Sequence, residues 1–337
     1  MQQENERKNK KITILIICAM MAIGLTAYAL FLVKQPSSGP SGESGSVASE
    51  EVTTSEDSVA QEVTTSEESG AQEVMLPQDS EKKIETEVHF MLDSAAVLEE
   101  NHQLKKELRN EFEIGKKAKT FGVVYFDGED RLFEQEGWIN RIRLQEEKPE
   151  KGFELTYKKR YRISGTDVDD AVRRAVADGF DLSDGEWEAE VEWGFSHMTL
   201  SVSHEANVDA GELKSVAELT PETGLSMVEQ NMPAEERDWT TEQWGSRALE
   251  SAQMVGPVFF TRYSGKYKDS KVQIEVWEIP EKDSGESRPI TEISIKAEDC
   301  ESASEIRGEI SEKLQELGVL IEEDSLKTQQ VMDAFLG

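Results

Sequence analysis

Along the last three quarters of the chain, polar and apolar side chains alternate with a period of two, broken by stretches with a period near 3.6. The period-two stretches predict strands at Lys83–Phe90, Ala118–Asp127, Trp138–Gln145, Phe153–Tyr161, Glu186–Gly194, His197–His204, Pro257–Tyr263, Lys271–Ile279 and Pro289–Ala297. The period-3.6 stretches predict helices over 94–109, 167–178, 241–253, 302–317 and 325–335, the second capped by Thr166 and closed by Gly179. Many strands and few helices give a β-dominated α+β class. The expected architecture is a closed antiparallel β-barrel or strongly curved sheet with peripheral helices over 81–337.

The N-terminal quarter follows another pattern. Ile12–Val33 is 22 residues without a charge, long enough as a helix to span a hydrocarbon core of about 30 Å. It predicts a transmembrane anchor over 12–33. Arg7, Lys8, Lys10 and Lys11 in segment 1–11 outweigh Lys34, so the N-terminus is expected in the cytoplasm and the folded part outside the cell membrane. The rival reading is a cleaved signal peptide, because Ala27-Tyr28-Ala29 fits a small-x-small cleavage site. Segment 34–80 carries an 11-residue repeat, Glu51–Gln61 and Glu62–Gln72, and lacks aromatic residues. It reads as a disordered acidic Ser/Thr/Glu linker, the alternative being a right-handed coiled coil.

Composition removes several classes of function. The 337 residues include 69 Asp or Glu and 37 Lys or Arg, a formal charge of −32, which opposes nucleic-acid binding. Cys18 and Cys300 are too few for a disulfide framework or a cysteine zinc site. His89, His102, His197 and His204 have no paired metal spacing. Walker, GxGxxG and GxSxG motifs are absent.

The charges fall on particular strand faces. Residues two apart share a face, so Glu85, Glu87 and His89 project together, as do Arg141 and Arg143. Thr156, Lys158 and Arg160 form another row, and Glu186, Glu188, Glu190 and Glu192 a fourth. A solvated sheet face would mix its charges, whereas here whole strands offer one sign. Cations facing carboxylates in one lumen suit an oligophosphate held with a divalent metal.

These motifs resemble the CYTH domains of the triphosphate tunnel metalloenzymes. The likeness rests on Glu85, Glu87 and His89 as an E-x-E-x-K-like start, Y-F-D at Tyr125–Asp127, and R-x-R at Arg141 and Arg143. It continues through T-x-K at Thr156 and Lys158, E-x-E at Glu188 and Glu190, and the terminal T-E-I-S-I-K at Thr291–Lys296. The resemblance implies an eight-stranded antiparallel tunnel, Mg²⁺ or Mn²⁺ as cofactor, and hydrolysis of a terminal phosphoanhydride by Glu85, Glu87 and His89. It implies Arg141, Arg143, Lys158 and Arg262 as phosphate ligands, and Glu85, Glu87, Glu188, Glu190 and Glu292 as metal ligands.

Two departures count against turnover. His89 replaces the motif lysine, and Ser294 stands where many members carry a second glutamate. The expected function is a membrane-anchored domain that binds a polyphosphorylated small molecule or inorganic polyphosphate with a divalent metal, metal-dependent triphosphatase activity being the enzymatic activity the resemblance would add. The alternative is a non-catalytic anion-binding or surface-interaction module with a degenerate tunnel. Segment 205–250 reads as a helical cover bringing Trp239 and Trp244 onto the barrel. His102 reads as solvated, His197 and His204 as edge residues, and Val123–Phe126 as core.

Overall fold

A computed structural model describes residues 84–183, 185–281, 286–324 and 327–337. The anchor at 12–33, its flanks and the linker to residue 80 lie outside the described residues, as do positions 325 and 326 of the last predicted helix. Among the described residues no helix is long and apolar enough to cross a membrane.

The long strands are β1 (Glu85–Leu92), β2 (Ala118–Asp127), β3 (Trp138–Gln145), β4 (Phe153–Ile163), β5 (Glu188–Trp193), β6 (Met198–Val208), β7 (Gln253–Tyr267), β8 (Ser270–Pro280) and β9 (Ser287–Ala297). They pair in the order β1-β5-β6-β4-β3-β2-β7-β8-β9, and β9 returns to β1, which closes the ring. A two-residue strand, β10 (Leu320–Ile321), adds to β1 at Met91 and Leu92.

The barrel has the nine long strands that alternation predicts, and departs from the eight-stranded antiparallel tunnel implied by the resemblance in two linked points. It has nine strands rather than eight, and it is not wholly antiparallel, because β1 and β5 run parallel with Glu85 beside Glu190 and Val88 beside Trp193. Directions can alternate around a closed ring only if the number of strands is even. Nine strands therefore force at least one parallel neighbour pair, and the other ring pairings are antiparallel.

The predicted helix over 94–109 is also corrected. It is two short helices, Ser94–Val97 and Lys106–Glu111, separated by a turn that bridges Leu98 to Leu104. Asn101 Oδ1 accepts the Gln103 N–H at 3.1 Å, and His102 takes a left-handed φ of 58°. Such local side-chain bonding competes with helix formation. His102 is partly exposed and its Nδ1 lies 2.8 Å from Glu278 Oε1.

The hydrophobic core lies mainly outside the barrel. On β3 the alternation turns Trp138, Asn140, Ile142 and Leu144 outward into burial and leaves Arg141 and Arg143 on the inner face. The outer face packs under the helices Val168–Ala177, Pro221–Asn231 and Trp244–Ser251 on one side. Cys300–Glu316 covers Val88, Phe90 and Leu92 on another. A third cluster sits within the ring, where Tyr125, Phe260 and Trp277 meet Val331 and Met332 of the C-terminal helix Lys327–Phe335.

Of the predicted cover 205–250, residues 205–208 instead continue β6, and the helices that follow do cover the barrel. Trp239 meets Trp138 edge-on at 5.6 Å between centroids, and Trp244 meets Phe133 at 5.4 Å. Beneath this cover, the short helix Ala234–Arg237 presses a fully buried Glu236 onto Asn140, whose Nδ2 donates to Glu236 Oε1 at 2.6 Å.

Burial pushes the Glu236 carboxyl up to about 8, with the Asn140 bond opposing. The fold therefore favours the protonated acid, whereas the unfolded chain ionises near the ordinary value. Between those two values the unfolded state binds fewer protons. Stability consequently falls as pH rises, by up to about 1.4 kcal/mol per unit from this group. Glu236→Gln is expected to be more stable than the native protein at pH about 8.5, with the difference shrinking toward pH about 5. Urea unfolding across that range measures the difference, and a constant offset would exclude this ionisation as its source.

Candidate functional site

The inner strand faces enclose a polar cavity of about 320 Å³. Its charged lining among the described residues comprises seven cations, Arg141, Arg143, Lys158, Arg160, Arg262, Lys296 and Lys327, besides His89. Seven carboxylates face them, those of Glu87, Glu188, Glu190, Glu192, Glu205, Glu275 and Glu292. Strand register explains the clustering: Arg141 lies opposite Tyr125 and Thr156, Arg262 opposite Glu275, and Glu87 opposite Lys296.

Three ionic groupings organise this lumen. Lys158 Nζ lies 2.7 Å from Glu192 Oε1, and Arg160 lies 3.1 Å from Glu192 Oε2. Lys327 reaches in from the C-terminal helix to Glu275 at 2.8 Å and Glu292 at 2.6 Å, while Arg262 holds the other oxygen of Glu275 at 2.7 Å. Lys296 lies 2.6 Å from both Glu85 Oε2 and Glu190 Oε1. Burial alone would raise the carboxyl groups of Glu192 and Glu275, yet Arg160 and Lys158 hold the first well below the usual range, and Lys327 and Arg262 lower the second. Burial and the nearby Glu87 carboxylate push Glu190 upward, with Lys296 opposing.

The cationic wall is less completely neutralised. Arg141 hydrogen-bonds the Thr156 hydroxyl at 3.2 and 3.3 Å. Burial, then the Arg141 cation, push the Arg143 guanidinium down to about 10, although Glu154 bonds it. Arg143 Nε and Arg160 Nε are buried without a hydrogen-bond partner. Stacked Phe121, Phe260 and Trp277 rings form an aromatic floor, with centroid spacings of 5.0 and 4.2 Å. Arg262 lies 4.9 Å and Arg143 5.4 Å from the Phe121 centroid, within reach of cation–π attraction.

Of the residues selected from sequence, Glu87, His89, Arg141, Arg143, Lys158, Arg262, Glu188, Glu190 and Glu292 line this cavity. Glu85 does not: its side chain is 53% exposed and held by Lys296, because it begins β1 at the barrel rim. His89 lies against the β5–β6 turn, where a Cβ on Gly194 would stand 3.2 Å from its Nε2 and 2.2 Å from Asp324 Oδ1. Asp127 of the Y-F-D motif accepts the N–H groups of Phe133 and Glu134 at 3.3 and 3.0 Å, so it caps a short helix. His197 pairs with Asp324 at 2.8 Å, and His204 packs against Trp187.

Sequence reasoning passed over Glu275, Lys296 and Lys327. Alternation along Gln273, Glu275 and Trp277, and along Glu292, Ser294 and Lys296, carries a usable signal for the first two. Lys327 is on a helix remote in sequence, and only its packing brings it to the lumen.

No family model matches the chain, and no curated protein matches it. Solved structures similar to it include HpAC1 of Hippeastrum, named for adenylyl cyclase and described as showing a dominant triphosphatase activity. That likeness has 13% identity, covers 73% of this chain and 94% of the other, and has a TM-score of 0.46. The bh2851 protein of Bacillus halodurans, also named for adenylate cyclase, is 14% identical over 74% of this chain and 97% of its own, with a TM-score of 0.43. PH1819 of Pyrococcus horikoshii OT3 is 13% identical over 73% and 97%, with a TM-score of 0.35. The functional reading rests instead on the geometry of the lumen.

The five carboxylates selected as metal ligands, Glu87 among them in the lumen, do not form an all-protein divalent-cation cage. Glu85 and Glu190 share the Lys296 ammonium, Glu292 is taken by Lys327, and Glu188 is exposed. Among the described residues no three His, Cys, Asp or Glu side chains are grouped to hold a metal; a Mg²⁺ ion would take one or two carboxylates and complete its shell with water and ligand phosphates.

Lys327 fastens the C-terminal helix to two nearly buried carboxylates, so Lys327→Met leaves Glu292 without its cation, whereas Glu275 keeps Arg262. The expected loss of stability is about 3 kcal/mol, the scale for breaking a buried ion pair from one side. A reduced urea midpoint with unchanged slope would show the loss. Restoration by the double variant Lys327→Met/Glu292→Gln would assign it to the stranded charge.

Proposed function

We propose that the lumen binds the oligophosphate chain of a small polyphosphorylated molecule or inorganic polyphosphate, as a divergent CYTH-type tunnel. One observation carries this reading: Arg141, Arg143 and Arg262 converge on one wall, and burial with like charge lowers Arg143 to about 10. A bound polyanion removes that penalty, because it supplies the counter-charge that the protein leaves incomplete. The unpartnered Nε donors of Arg143 and Arg160 offer it hydrogen bonds. Guanidinium forks match phosphate oxygens in pairs.

The residues divide the task between two walls. Arg141, Arg143 and Arg262 hold phosphate oxygens, and Lys158 with Arg160 extends the cationic row while keeping Glu192 ionised. The aromatic floor presents the Arg143 and Arg262 guanidinium groups toward the ligand. Lys327 and the apolar contacts of its helix close one end, which excludes water there. A second reading, hydrolysis of the terminal phosphoanhydride, is favoured by Glu190. Burial and Glu87 push its carboxyl up, so it is a stronger proton acceptor than an ordinary carboxylate. An apolar 12–33 segment and an acidic linker ahead of the barrel suit display of this lumen from a membrane on a flexible tether.

Calorimetric titration of the full chain with tripolyphosphate is the direct test. Binding is expected, and Arg141→Ala should weaken it about tenfold, near 1.4 kcal/mol for a lost charge-assisted contact. Native affinity in that variant, or no binding by the wild type, would overturn the reading. Release of orthophosphate during the titration would select hydrolysis, and stable binding without release would select the binding module.

A further inference from the structure

The acidic wall contains its own cation. β9, β1 and β5 are neighbours in the ring, with Lys296 opposite Glu87 across β9–β1 and Glu85 opposite Glu190 across β1–β5. Lys296 crosses the width of β1, and its Nζ reaches 2.6 Å from an oxygen on each of Glu85 and Glu190. Against the effect of burial, those two carboxylates, with Glu87 adding attraction, hold the ammonium above its ordinary value. Lys296 therefore bridges carboxylates on two strands, as a divalent ion in an acidic tunnel would. An ammonium has three donors; one is hydrogen-bonded to Glu85 Oε2, while Glu190 Oε1 meets the charge as an ion pair without a hydrogen bond, so donor capacity is left for a phosphate oxygen.

We propose that Lys296 is the fixed cation of this wall, and that the lumen consequently binds its oligophosphate ligand without a divalent metal. This inference rests on the function proposed above. It explains why the nominated metal ligands do not converge: a divalent ion would have to displace the ammonium, or lie beside a positive charge while sharing its ligands. It also gives a role to the cation on β9, next to β1, where His89 offers an imidazole in place of the motif lysine. Lys296 faces the arginine wall across the same cavity, so a phosphate chain between the walls meets positive charge on both sides.

Two independent titrations test the proposal on the full chain. In the first, Mn²⁺ alone is titrated and free Mn²⁺ is followed by electron paramagnetic resonance. Wild type is expected to bind none at about 1 mM, whereas Lys296→Met frees the oxygens of Glu85 and Glu190 and gains a Mn²⁺ site. Mn²⁺ binding by the wild type, abolished in Glu190→Gln, or failure of a folded Lys296→Met to gain Mn²⁺, would overturn the proposal. In the second, tripolyphosphate affinity is compared in EDTA and in Mg²⁺. Wild type should bind in EDTA at least as well as in Mg²⁺, and Lys296→Met should lose about tenfold in EDTA and recover it with Mg²⁺. A wild type that needs Mg²⁺ would overturn the proposal. Lys296→Arg retains the charge and should behave as wild type in both titrations; if Lys296→Met fails to fold, the wild-type results decide the question. A wild type that binds no tripolyphosphate under either condition refutes the oligophosphate reading, while the Mn²⁺ titration alone still decides the role of Lys296.

Discussion

Charge pairing across a closed polar lumen is the constraint on which the structure depends. Strand alternation puts six cations and seven carboxylates on inner faces, a seventh cation comes from the C-terminal helix, and ring closure brings them together. Unpaired, such groups would each cost several kcal/mol to desolvate. The register of β1, β5, β8 and β9 instead sets Glu192, Glu275, Glu292 and Glu190 beside ammonium or guanidinium groups. A slip of one residue in any of these strands would place charges in the outer apolar layer and leave their partners bare.

The inverted core follows from that constraint. With the lumen polar, the apolar face of each strand has to be covered from outside, and the helices of 221–251 and 300–316 do so. The long insertion is part of this cover, since its tryptophans pack on Trp138 and Phe133. The buried Glu236–Asn140 contact is a local cost within it, with Glu236 Oε2 and Asn140 Oδ1 left without partners. The last helix acts differently. It enters the ring from one end, where Val331 and Met332 seal the apolar layer and Lys327 joins the ionic one.

The two walls of the lumen differ in what they leave unfinished. On the acidic side Lys296 and Lys327 are drawn into carboxylate pairs. On the basic side, Arg143 remains strained by burial and by Arg141, and two guanidinium nitrogens lack acceptors. That asymmetry is the basis of the anion binding proposed for the cavity, despite the large negative charge of the whole chain. On that proposal, local guanidinium geometry rather than net charge sets what the lumen recognises.

Sequence alone determined the strands and the faces their side chains occupy. β2 and β3 begin and end where alternation places them, and Glu87, Arg141, Arg143, Lys158 and Glu190 share the lumen because a two-residue period is a local property of extended backbone. It could also show the Lys296 alternation, but not which carboxylates that ammonium would reach. Strand order and the parallel β1–β5 contact depend on which distant segments meet at closure, and no local pattern records that. The same holds for Glu85 lying at the rim, for Lys327 entering from a remote helix, and for the division of the carboxylates between two lysines. Tertiary structure decided these because each is a pairing across more than 30 residues, fixed by register and packing rather than by neighbours in the chain.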